Sequence, residues 1–130
     1  MGGTQVEAVG LYIGLNLILT LVLAILVVRQ RAKHEVSLGT GGNDDLERAI
    51  RAHGNTVEYL AIALPGLIAL ALLGASTLLI HIAGLLVTLG RVGHAVGITN
   101  GISLARQLGT LATWFGVLAL GGGCLWIVLT

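Results

Sequence analysis

The sequence is short of the residues that build most soluble domains. Charged side chains make up 10% of its 130 residues, aromatics 4%, and there is one proline and one cysteine. So little charge cannot cover the surface of a soluble domain this size. A lone cysteine, Cys124, excludes an intrachain disulfide and any thiolate metal cluster. The net charge of +1 gives no basic footprint for nucleic acid. No histidine pair has ligand spacing with a carboxylate at matching depth, so no metal is expected. The first residues carry no positive run, so the first apolar stretch reads as a retained span rather than a cleaved signal.

What the sequence has instead is apolar length. Hydrophobic residues make up 55%, gathered in runs long enough to cross a bilayer. Four spans are predicted, at about 8–28, 45–73, 77–98 and 108–129. Together they make a single four-helix transmembrane domain over 1–130, an all-α membrane bundle. Asp44 reads as the second helix's N-cap, with Glu47 as its capping-box partner. Gly74-Ala75-Ser76 is a tight turn, and Thr99-Asn100-Gly101 ends the third helix.

The basic residues set an orientation. Arg29, Arg31, Lys33, Arg48 and Arg51 flank the first loop, and Arg91 and Arg106 flank the third. All seven lie toward one side of a four-span chain. The positive-inside rule makes that side cytoplasmic and puts both termini outside.

Some charges fall within the spans, where they are costly and usually functional. At about 1.5 Å per residue, Glu58 lies roughly 24 Å from its helix's outer end, Arg91 roughly 21 Å and His94 roughly 25 Å. These depths match. Arg51 and Arg106 lie roughly 35 Å out, at the interface. On helix two, Glu47, Arg51, Asn55, Glu58 and Tyr59 fall within an arc of about 120°. This stripe, facing Arg91 and His94, can close a cytoplasm-facing pocket for a small ligand with carboxylates and an amine. Arginine forks suit carboxylates, Glu58 suits an ammonium, and a thiol beside an arginine becomes more acidic. A structural Glu58–Arg91 ion pair is the plainer alternative. Arg29, Arg31 and Lys33 also read as interfacial anchors, Arg48 as a solvated residue, and Trp114 and Trp126 as interface or lipid-facing anchors. Gly93 and Gly97 have the spacing of a close helix contact.

The segment Glu47-Arg48-Ala49-Ile50-Arg51-Ala52-His53-Gly54-Asn55-Thr56-Val57-Glu58-Tyr59 resembles the helix-two signature of the MAPEG family, the membrane-associated proteins in eicosanoid and glutathione metabolism. Gly90-Arg91-Val92-Gly93-His94 is similar to that family's helix-three motif. The resemblance implies a homotrimer in the membrane lipid, with glutathione as co-substrate in clefts between subunits. It implies that Arg51, Asn55, Glu58 and Tyr59 hold glutathione, that Arg91 and His94 line the cleft, and that Arg106 stabilises the thiolate. Arg29 and Arg31 match basic positions reaching a ligand carboxylate or the reacting centre, which makes Arg31 a second catalytic candidate. The implied activity is glutathione transfer to, or peroxide reduction of, a lipophilic small molecule. Gly54, His94, Ile98 and the displaced Pro65 depart from eukaryotic members and fit a bacterial-type protein of the inner membrane. Two other functions compete. A small four-helix transporter would normally place its carboxylate in helix one, which has none within its span. A non-catalytic binding or scaffold protein would keep the fold without turnover.

Overall fold

The computed structural model describes residues 2–130. Four helices follow in order: α1 Gly3–His34, α2 Asp44–Leu72, α3 Thr77–Thr99 and α4 Ser103–Leu129. Each is long and apolar enough to cross a membrane. The helices follow the expected spans, except that α1 is longer at both ends and α4 begins earlier, at the loop end. At the loop end the extra residues, 29–34 in α1 and 103–107 in α4, are polar or basic apart from Ala32, Leu104 and Ala105. Hydropathy marks the part of a helix that suits hydrocarbon, while the backbone hydrogen bonds run on into the interface.

The helix ends show which side chains organise the chain. Asn43, not Asp44, caps α2: its Oδ1 accepts the Leu46 amide at 2.9 Å. Asp44 is then the first helical residue, and Glu47 lies one place too far along for the expected capping box. Asp44, Asp45 and Glu47 instead put negative charge on the first turn, where the helix dipole favours it. Ser76 caps α3 by accepting the Leu79 amide at 3.3 Å. The α3–α4 connection reverses at Gly101, whose φ of 71° is open to glycine and strained for most other residues. There the Ile102 amide reaches back to the Gly97 carbonyl at 2.8 Å, closing the end of α3.

α3 is the most enclosed helix, and its tightest seam is with α4. A Cβ at Gly90 would stand 2.8 Å from the Gly109 carbonyl oxygen, and one at Gly97 2.7 Å from Arg106 Cα. Such backbone-to-backbone approach needs glycine. Of Gly90, Gly93 and Gly97, which the sequence places along α3 as close-packing positions, the first and last make the close contacts, whereas a Cβ at Gly93 would meet nothing nearer than 3.6 Å. The seam carries His94 and Arg106 to the same place.

Toward the termini the interior is apolar, built on Tyr12, Leu67, Leu70, Ile80, Val87 and Leu120. Toward the basic loops it turns polar, with Asn16, Thr56, Thr88, Arg91, His94 and Thr113 all buried. The outer surface is apolar, with Leu17, Ile18, Leu21, Leu118 and Leu125 among many exposed side chains. A bilayer solvates such a surface and water does not.

Candidate functional site

At the loop end of the bundle, α2, α3 and α4 enclose a cavity of about 470 Å³. α2 contributes Arg48, Arg51 and Asn55, with Asp44 and Glu47 from its first turn. α3 contributes His94 and Ile98, and α4 contributes Arg106. Helical spacing explains the α2 wall. Residues 44, 48, 51 and 55 repeat at intervals of four, three and four, and so share a face.

Behind this wall sits Arg91, wholly buried. Its Nε donates to Thr113 Oγ1 at 2.8 Å and its Nη1 to Asn55 Oδ1 at 2.7 Å. Its guanidinium carbon lies 4.4 Å from the centre of the Tyr59 ring, a cation–π contact. Thr113 in turn donates to the Gly109 carbonyl at 2.8 Å. Arg91 therefore finds neutral partners on α2 and α4, and the Glu58–Arg91 ion pair considered from sequence is not formed. Helix geometry gives the reason. Glu58 and Tyr59 differ by about 100° around α2, so when Tyr59 turns under Arg91, Glu58 swings away. It lies exposed on the flank of the chain.

The structure thus brings Arg51, Asn55, His94 and Arg106 to one cavity, with Arg91 and Tyr59 immediately behind it. It does not bring Glu58, Arg29 or Arg31 there. Arg29 lies on a separate groove with Lys33 and Gln30. Arg31 Nη1 reaches the carbonyls of Val36, Ser37 and Gly39 at 3.0–3.3 Å, tying down the first loop.

Several residues of this region escaped the sequence reading. Arg48 and Asp44 share the Arg51–Asn55 face, and that spacing was the available signal. Thr113 lies seven residues, two turns, beyond Arg106 on α4, a weaker signal in an apolar helix. Trp114 is more than an anchor, because its Nε1 donates to the Tyr59 hydroxyl at 2.7 Å.

A second groove of about 370 Å³ adjoins the polar cavity. His94 and Arg106 border both, and Gln107, Thr110, Leu111 and Trp114 complete the second. One histidine and one arginine therefore stand between a charged compartment and a largely apolar one.

A sequence model of the MAPEG family matches residues 9–126, nearly the whole chain. The chain belongs to the MAPEG family. Within that match lie the polar cavity, its Arg91 support and the apolar groove. Among its relatives is the inner membrane protein YecN of Escherichia coli (strain K12), 36% identical over 116 residues, which are 89% of this chain and 88% of that one. The protein sll1147 of Synechocystis sp. is 41% identical over 98 residues, 75% of this chain and 71% of its own.

Proposed function

We infer that this MAPEG protein binds glutathione in the polar cavity and joins it through its sulfur to lipophilic electrophiles, or uses it to reduce lipophilic hydroperoxides. One observation carries the reading. In a chain with seven Lys and Arg residues, Arg48, Arg51 and Arg106 converge with Asn55 and His94 on one cavity. Arginine forks and an amide suit a small peptide with two carboxylates. Arg106, on the border with the apolar groove, is the group that holds the thiolate. A cation beside a thiol lowers its pKa and so raises the fraction of nucleophile. The thiol proton leaves to water in the open cavity. The sulfur then forms a bond to the electrophilic carbon as the leaving group departs. With a hydroperoxide, sulfur takes the terminal oxygen and an alcohol leaves; a second glutathione then gives the disulfide and water.

The apolar groove beside Arg106 supplies a place for the lipophilic partner, reached from the bilayer. Glu58 supports an oligomer, in keeping with the trimer implied by the family. A carboxylate facing hydrocarbon within the bilayer is costly, and a neighbouring subunit relieves that cost. Arg29 and Arg31, remote from the cavity of their own chain, act in this reading across such a contact. The name of the Escherichia coli relative and the clustered basic residues support an inner-membrane location with the cavity facing the cytoplasm.

The test separates binding from chemistry. Arg106→Ala should still bind glutathione but lose the ultraviolet absorbance of bound thiolate, with conjugation slowed by about 100-fold, as for loss of one electrostatic stabiliser. Full conjugation rate in that variant removes Arg106 from the role.

A further inference from the structure

The bundle has two apolar clusters, and what separates them is polar. Tyr12, Leu60 and Val87 belong to the larger cluster toward the termini, and Leu23, Ala52 and Ala95 form the smaller one toward the basic loops. Between them, on the same three helices, lie Asn16, Thr56, Thr88 and Arg91, all buried. Contacts set their register. α1 runs beside α3 with Asn16 Nδ2 donating to Thr88 Oγ1 at 2.8 Å. α2 runs against α3 with Arg91 Nη1 donating to Asn55 Oδ1 at 2.7 Å. α1 and α2 meet across a shallow groove of about 230 Å³, lined by Leu17 and Thr20 on one side and Val57 and Leu60 on the other. Asn16, Thr56 and Arg91 thus stand within about one helical turn of a common level, at the junction of three helices.

Three polar atoms at that junction have no partner among the described residues: Asn16 Oδ1, Thr56 Oγ1 and Arg91 Nη2. Each belongs to a side chain that is 0% exposed, and a buried donor or acceptor left unmade is costly. Asn16 cannot turn its amide over, because its Nδ2 donates to the Tyr12 carbonyl, which only accepts. Thr20, Thr110 and Thr113 each donate a hydroxyl to the carbonyl four residues back. Thr56, in mid-helix, does not, so its hydroxyl is left for another group. Arg91 gives Nε to Thr113 and Nη1 to Asn55, which leaves Nη2. The guanidinium needs an acceptor, and the amide oxygen needs a donor. An anion fails the amide oxygen, a cation fails the guanidinium, and an apolar group fails both. A small neutral molecule that accepts and donates meets all three atoms, with the three bonds usual for a buried water. We propose that this junction is a hydration site for one buried water, which accepts from Arg91 Nη2 and donates to Asn16 Oδ1 and Thr56 Oγ1, tying α1 to the cation that supports the polar cavity. Asn55, which holds Arg91 and lines that cavity, marks the side from which the water enters. The site does not depend on what the cavity itself binds.

A density map of the purified full-length protein, at a resolution that shows ordered water, tests this directly. One peak should lie within hydrogen-bonding distance of all three atoms. A map in which the three atoms pair with one another, or stand with no peak among them, overturns the proposal. A double-mutant cycle read as unfolding midpoints in one detergent is the second test. Thr56→Val keeps the shape of the side chain and removes the hydroxyl, and Asn16→Leu removes the amide oxygen. Each should lower the midpoint. Both residues lean on the same water, so the loss in the double variant should be clearly smaller than the two single losses together. Losses that simply add mean that the two atoms share nothing, and overturn the proposal. Asn16→Ala completes the cycle where Asn16→Leu does not fold, and the density map needs no variant.

Discussion

Two glycines one turn apart on α3 should respond oppositely to the same substitution. Replacing glycine by alanine inside a helix gains about 0.5–1 kcal/mol from backbone entropy when there is room for the methyl group. At Gly93 there is room, because the nearest atoms to a new Cβ are Gly109 Cα at 3.6 Å and the Ala105 carbonyl oxygen at 3.8 Å. At Gly97 there is none. The new Cβ would stand 2.7 Å from Arg106 Cα and 2.9 Å from the Ala105 carbonyl carbon, and closer still to the Arg106 amide nitrogen. These are backbone atoms at the start of α4 and cannot rotate aside. Relief requires α3 and α4 to separate by several tenths of an ångström or more. Overpacking of this kind costs about 1–3 kcal/mol, more than the entropy gain. Gly93→Ala should therefore be neutral or stabilising by up to about 1 kcal/mol, and Gly97→Ala destabilising by about 1–2 kcal/mol net. The displaced atoms belong to Arg106, so Gly97→Ala should also slow glutathione conjugation. Denaturant unfolding followed by circular dichroism in one detergent compares the two, with the conjugation assay alongside. Equal effects at the two positions would refute the close seam.

Three further outcomes follow from single contacts. Thr113→Val leaves the buried Arg91 Nε without its acceptor and should cost about 1–2 kcal/mol, while Thr113→Ser should stay close to wild type; unfolding midpoints measure the difference, and equal midpoints contradict it. Asn43→Ala removes the α2 cap and should cost about 1 kcal/mol, whereas Asn43→Asp should keep most of it; the same unfolding assay reads this. Glu58→Gln should leave the fold of each chain intact and shift the oligomer distribution in analytical ultracentrifugation, since the carboxylate lies outside its own chain's cavity. An unchanged distribution removes Glu58 from any subunit contact.

The four helices were legible because the length and composition of an apolar run are read directly. Their charged-end boundaries were less so, since 29–34 and 103–107 are helical without being apolar. The meeting of Arg51 and Asn55 with His94 was also foreseeable, because helical spacing set their faces and residue rise their depth, whereas Arg106 was reached only through the family resemblance. The Glu58–Arg91 pairing was not, because depth and charge favoured it while a 100° turn around α2 decided against it. Which residue capped α2 depended on one position, Asn43 against Asp44, and both types are good caps. The buried Arg91–Asn55–Thr113 chain joins three helices, and nothing local in Thr113 marks it as the partner of an arginine 22 residues earlier.

Thermal unfolding of the detergent-purified protein with and without reduced glutathione, beside Arg51→Ala, tests the central claim most directly. A ligand that binds the native state stabilises it by mass action, by about 2.7 kcal/mol at one hundred times its dissociation constant. The account predicts a clear rise in the unfolding temperature of wild type at millimolar glutathione, and its loss in Arg51→Ala. No rise in wild type, or the same rise in both proteins, would contradict it.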